Sequence, residues 1–246
     1  MISPSTRFVK SMRGVSLAVA LAVTSSLVAV AQMGSGSGMS GELQEKLMAL
    51  KQAAAANKQR LMQYQWVETT QLTLKGEQKP ERVYQCSYVN GQVQKVPLGA
   101  PPQQQDKRGL RGRVIEKKTD EMKAYMQQVQ SLLSLYVPPN PQLMQQAFQK
   151  KDVSLDKTMG GSGVNLVFKN YAKQGDQMTI GFDAATKKIS TINVNTYMDN
   201  PQDAVTLAVQ MASLPDGTNY AAQTVLNATA KQIQVTTNSA NYAKVQ

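Results

Sequence analysis

Glu68 is the one acidic residue on an alternating face that otherwise carries Tyr64, Trp66, Thr70, Leu72 and Leu74. An unpaired carboxylate on such a face is costly to bury. It therefore calls for a ligand amine, for Arg82 further along the chain, or for a place at a strand end in solvent. Tyr84, Cys86 and Tyr88 alternate in the same way, and Cys86 between two rings reads as a small buried residue rather than a reactive thiol. Trp66, Tyr84, Tyr88, Met178, Phe182 and Met211 all fall on the apolar sides of their runs, and with Glu68 they form a candidate ligand-binding set. Rings and adaptable thioethers suit acyl chains or apolar peptide segments. The competing use of the same residues is ordinary core, packed against helices.

A second candidate is basic. Lys107, Arg108, Arg111, Arg113, Lys117 and Lys118 crowd into one short stretch, broken by Asp106 and Glu116, in a Pro/Gln/Gly-rich loop that leads into a helix. Such a cluster is either an anion-binding arm for an envelope polymer or a solvated loop. The cluster lacks interleaved aromatics, which argues against nucleic acid. Other chemistry is excluded by composition. There is no His and a single Cys, so a Ser-His-Asp triad, a Cys-His pair, His-ligated zinc or haem, a CxxC site and an intrachain disulfide are all ruled out. The run Gly160-Gly161-Ser162-Gly163 lacks the Lys-Ser/Thr ending of a phosphate loop, and Asp152, Asp156 and Asp176 lack calcium-loop spacing. No spacing nominates a pair of catalytic carboxylates, so the reading leans away from an enzyme and expects no cofactor and no metal.

The elements that position these residues follow from periodicity. Glu42 to Tyr64 has no Gly or Pro and places Leu43, Leu47, Leu50, Ala54 and Leu61 at helical spacing, with Ser40 as its cap. Tyr64 to Leu74, Val83 to Val89 and Gln92 to Leu98 alternate as strands, and Asn90-Gly91 is a strong hairpin signal. A second amphipathic helix is predicted from Val114 to Tyr136, stopped by Pro138-Pro139, and a short third from Asn140 to Lys150, with Asn as cap and Pro at its first position. Strands are predicted over Val164 to Tyr171, Gln177 to Asp183, Ile189 to Met198, Ala204 to Leu214, Tyr220 to Ala230 and Lys231 to Thr237. The Ala-rich Ala204 to Leu214 has a short helix as its rival.

The N-terminus reads as an export signal. Arg7, Lys10 and Arg13 precede an uncharged apolar run from Val15 to Ala31, and Ala29-Val30-Ala31 fits a small-x-small site with cleavage after Ala31. The alternative is a single membrane anchor. No Cys follows the run, which excludes a lipid-anchored lipoprotein, and no later stretch is apolar enough to span. The expected organisation is a signal peptide over 1–31, a flexible leader over 32–41 and one domain over 42–246, exported to the periplasm or beyond. The whole sequence is basic, with 27 Lys and Arg against 16 Asp and Glu, yet only 17% charged, so much of its polar surface is left to uncharged side chains.

One helix, three strands, two helices and a run of strands, without β-α-β alternation, predict an α+β fold. It is a large curved antiparallel sheet, an incomplete β-barrel, with an N-terminal helix and a two-helix insertion packed on it. That element order resembles the outer-membrane lipoprotein carrier and its relatives, and the resemblance implies a half-barrel wrapped around helices. The stretch Tyr64-Gln65-Trp66-Val67-Glu68-Thr69-Thr70 also looks like part of a secreted bacterial family without an assigned role. The function expected is that of a periplasmic binding protein, a carrier or chaperone for lipid-like or hydrophobic cargo. The alternative is an envelope-surface protein that binds anionic polymers through residues 106–118.

Overall fold

The computed structural model describes residues 38–99, 110–157, 163–183, 185–186 and 188–245. The expected signal peptide, its cleavage site, Lys107 and Arg108 lie outside the described residues. Helix α1 (Gly38–Leu61) forms where unbranched side chains and four consecutive alanines favour helix. It is already running at Ser40, the expected cap, and it takes in the last residues of the expected leader. Strands β1 (Tyr64–Leu74), β3 (Arg82–Val89) and β4 (Gln92–Leu98) make the expected meander, with a two-residue β2 (Glu77–Gln78) folded back on β1. The hairpin between β3 and β4 turns on Asn90 and Gly91, both left-handed at φ 53° and 76°, the pairing that a two-residue turn between twisted strands requires.

Helix α2 (Leu110–Leu133) starts before the expected Val114, so Arg111 and Arg113 belong to its first turn and not to a loop. It gives way to turns before Pro138. Helix α3 (Pro141–Gln149) is capped as expected: the Asn140 side chain accepts from the amides of Gln142 at 2.9 Å and Leu143 at 3.4 Å. Strands β5 (Val153–Lys157), β6 (Gly163–Lys169), β7 (Gln177–Asp183), β8 (Lys188–Tyr197), β9 (Ala204–Ser213), β10 (Asn219–Ala228) and β11 (Ile233–Lys244) complete the chain. Three of these differ from expectation. Strand β5 lies where no element is predicted, β10 stops at a 3-10 turn over Thr229–Lys231, and β11 runs past Thr237 to Lys244. The Ala204 segment is a strand, with the rival helix excluded.

All strands pair antiparallel in the order β4-β3-β1-β11-β10-β9-β8-β7-β6-β5, with β2 beside β1. The sheet does not close, and β4 and β5 are its edges. The fold is thus the α+β open, curved sheet with helices that the element order predicts. Its core lies under the insertion. Met178, Ile180 and Phe182 of β7, Ile192 and Val194 of β8, Val205, Leu207 and Val209 of β9 and Leu226 of β10 are buried with Val129, Leu133 and Tyr136. Each such side chain stabilises the fold by about 1.5–3 kcal/mol relative to exposure. A buried polar joint then pins the insertion. The Tyr136 hydroxyl donates to Asp176 Oδ2 and lies 2.8 Å from Thr196 Oγ1, while the amides of Ala172 and Lys173 donate to the same Asp176 oxygen at 3.0 and 2.8 Å. Helix α1 is tied down by Asn57, whose carboxamide takes the place of a strand neighbour: it donates to Asn219 O and accepts from Asn219 N, both at 2.6 Å.

Candidate functional site

The expected ligand set divides between two places in the sheet. Met178 and Phe182 are 0% and 2% exposed and belong to the core under α2 and α3, with the half-buried Met211 packed against it. These three fill space instead of lining it. Trp66, Glu68, Tyr84 and Tyr88 come together elsewhere, on the same face of the sheet but across β1 and β3. Cross-strand register explains the grouping. Trp66 faces Cys86, which faces Lys95, in one row; Glu68 faces Tyr84, which faces Pro97, in the next.

Cys86 is the small member of its row and is wholly buried. Its size leaves room for Lys95 to reach across β3 and donate to Glu68 Oε1. Both side chains are removed from water, Lys95 at 7% exposure and Glu68 at 8%. The partner of Glu68 is therefore Lys95; the expected Arg82 is exposed on its own strand, opposite Thr70. The Lys95 ammonium also stands 6.0 Å from the centre of the Tyr84 ring, where the ring's negative face attracts a cation.

Rings surround this pair. Trp66 is 6% exposed, stacked on Tyr242 at 5.5 Å and 8° and tilted against Tyr88 at 5.5 Å. Tyr242 meets Tyr220 at 4.3 Å and Tyr64 at 6.3 Å. Tyr242 reaches Trp66 through a bulge: the register between β1 and β11 shifts between Gln65 and Val67, and Asn241 adopts a left-handed φ of 56°. At the rim the Tyr64 hydroxyl donates to Asp216 at 2.6 Å, and this bond holds the Asp216 carboxyl down at about 2.

The acidic protons of the cluster are held tightly. Burial, with the Glu68 charge second, pushes the Cys86 thiol up to about 11, and burial pushes the Tyr88 phenol up to about 12 and raises Tyr242 as well. At neutral pH these groups are a thiol and phenols, not nucleophiles. The arrangement is suited to binding: one buried charge of each sign, with apolar ring faces beside them. Among the described residues no group of His, Cys, Asp and Glu is placed to hold a metal, and no helix is long and apolar enough to cross a membrane.

The basic set is described only in part. Arg111 and Arg113 lie in the first turn of α2, Lys117 and Lys118 are exposed on the same helix, and Lys107 and Arg108 are outside the description. Two contributors to the aromatic site were missed in the sequence. Lys95 was legible, because the Asn90-Gly91 hairpin dictates the pairing Cys86↔Lys95; Tyr242 was not, because it depends on a bulge in a polar strand.

No protein-family model matches the chain, and no curated protein matches it. Among solved structures the fold is similar to an outer membrane lipoprotein-sorting protein domain from Vibrio parahaemolyticus, 10% identical over 81% of this chain and 93% of that one, with a TM-score of 0.41. It is also similar to a DUF1329 family protein from Desulfovibrio piger, 7% identical over 80% of this chain and 92% of that one, with a TM-score of 0.35.

Proposed function

We propose that the chain is an exported binding protein, a carrier or chaperone that holds lipid-like or hydrophobic cargo against the aromatic face of β1, β3 and β11. The observation that carries this reading is the grouping of Trp66, Tyr88 and Tyr242 around the Glu68–Lys95 pair, apart from the core under α2 and α3. In the other half of the sheet Met178 and Phe182 are packed with Val129, Leu133 and Tyr136, whereas Trp66 is covered by the rings of Tyr88 and Tyr242. Aromatic faces bind alkyl chains without demanding one geometry. Native mass spectrometry of the protein extracted from its own envelope tests the reading: a co-purified apolar molecule, lost in Trp66→Ala, is the expected result. Protein that arrives empty and fails to take up a fluorescent fatty-acid probe overturns it.

A second reading has its own observation. Helix α2 carries Arg111, Arg113, Lys117 and Lys118 in its first turns, a basic segment of the kind that docks on anionic polymers. Replacing Lys107, Arg108, Arg111 and Arg113 by Gln is expected to abolish salt-sensitive retention on lipopolysaccharide with an unchanged thermal melt. Retention that survives the four substitutions removes this reading.

A further inference from the structure

We infer that the Glu68–Lys95 pair is a headgroup site, and that the amphiphile taken up by the aromatic face is zwitterionic, with an ammonium and a phosphate-like anion in one head. The inference rests on the cargo reading above and names the chemistry of that cargo. The argument is one of charge balance. The ion pairs Lys79–Glu77 and Lys123–Asp120 lie in solvent, whereas Lys95–Glu68 is buried. A ligand bearing only an anion would take Lys95 and leave Glu68 buried without a partner. A ligand bearing only a cation would take Glu68 and send Lys95 outward from its edge strand without an ion partner, so it forms one pair for the one it breaks. An uncharged head leaves the pair closed and gains nothing from it. A zwitterion alone exchanges one protein ion pair for two protein–ligand pairs and strands no charge, and stranding is the penalty that dominates buried electrostatics.

Geometry supports the exchange. Lys95 sits on β4, which among the described residues has β3 on one side and no strand on the other, so the ammonium is carried by an outermost strand. Its present position, bonded to Glu68 and over the face of Tyr84, is itself an ammonium site built from a carboxylate and an aromatic ring. A ligand ammonium can replace it there while Lys95 turns to the ligand's anion. Trp66, the only Trp in the chain, lies one row away and reports the event.

The test titrates the full chain with four dodecyl amphiphiles below their micelle thresholds and follows Trp66 emission: dodecylphosphocholine, dodecanoate, dodecyltrimethylammonium and dodecyl maltoside. Dodecylphosphocholine is expected to bind at least about tenfold more tightly than the other three. Glu68→Gln and Lys95→Met are expected to shrink that preference to within about twofold, while Glu68→Lys combined with Lys95→Glu keeps it, because the pair is reversed and not removed. That double variant also covers the case in which a single substitution fails to fold. Equal binding of all four, or a preference untouched in a folded Glu68→Gln protein, overturns the inference and leaves the cargo reading standing. Binding of none overturns both. Glycerophosphocholine, the head without chains, separates the two sources of this chemistry: affinity equal to that of dodecylphosphocholine would assign the site to a soluble zwitterion and overturn the amphiphile.

Discussion

Replacing Lys95 by methionine removes an ammonium but keeps most of its aliphatic length, so the variant isolates the charge. In the native protein the Lys95 and Glu68 side chains are 7% and 8% exposed, and the Glu68 carboxylate also accepts from Thr70 Oγ1 at a long 3.5 Å. Lys95→Met therefore leaves a buried carboxylate with little to compensate it, at a cost of about 3–5 kcal/mol. In a domain of this size that corresponds to a fall in Tm of about 6–20 °C, at roughly 2–4 °C per kcal/mol. The companion Glu68→Gln strands the ammonium, which can turn outward from an edge strand, so its cost is the smaller. Combining the two removes both charges, and the double variant is expected within about 1 kcal/mol of the parent, because a buried ion pair replaced by neutral groups is near break-even. Urea unfolding followed by Trp66 emission supplies all four corners of the cycle. If Lys95→Met costs under about 1 kcal/mol, the range of exposed pairs, or if the double variant is as unstable as the two losses summed, the pair is not the buried unit described.

Trp66→Ala is expected to cost about 3–5 kcal/mol, as large buried aromatics do, and native emission should be blue-shifted relative to the unfolded chain; a water-like native maximum would show that the ring is not covered. Cys86 has a folded pKa of about 11 against 9.0 for the free thiol, so the unfolded chain loses this proton first and stability contributed by the site falls as pH rises from 9 to about 11. Cys86→Ala should show a shallower loss over that window, and identical slopes would place the thiol in water. Pro97→Thr should make the protein self-associate, measured by sedimentation against the parent, since it restores an outward N–H on an edge strand; unchanged sedimentation up to millimolar concentration would mean the edge is protected by something else.

The Pro97 prediction follows from hairpin geometry. Val89 and Gln92 flank the two-residue turn and form its first hydrogen-bonded pair. Bonded and non-bonded pairs then alternate, so Tyr84↔Pro97 is non-bonded and the Pro97 nitrogen faces the open edge. Val96 and Leu98 on that strand are exposed, and a proline among them interrupts the row of donors that a second strand would need.

Where period-two alternation was strong, it was legible to within a residue: β1, β4 and β7 begin and end where their side chains predict, and alternation sets Trp66 with Glu68 and Tyr84 with Tyr88, which the β1–β3 register then brings to one face. Strand β5 escaped because Val153 and Leu155 are two apolar residues among Ser and charged neighbours, and only pairing with β6 makes them a strand. The polar end of β11, from Asn238 to Lys244, is extended because β1 lies beside it; neighbour pairing outweighs local propensity there. Periodicity also assigns a face but not what lies against it. Met178 and Trp66 look alike in the sequence, and the difference between them is where α2 and α3 come to rest.

That difference divides the labour of the sheet. From β6 to β10 the inner face is sealed by the insertion, and the buried joint of Tyr136, Asp176 and Thr196 holds the cover in one place. Here close packing supplies stability, and a ligand would have to displace side chains already in contact. Around β1, β3 and β4 the same face carries rings, one small Cys86 and a charge pair whose cation comes from an outermost strand. Rings tolerate varied apolar neighbours, and an edge strand yields at lower cost than a central one because half its hydrogen-bonding partners are absent. A fold that must stay intact while a ligand enters and leaves is served by this arrangement: rigidity is placed where α2 and α3 cover the sheet, and the adaptable surface is placed next to an edge. On this argument, substitutions at Leu207 or Phe182 should change stability and leave ligand affinity alone, while substitutions at Tyr88 or Lys95 should change affinity, and in the case of Lys95 its headgroup preference.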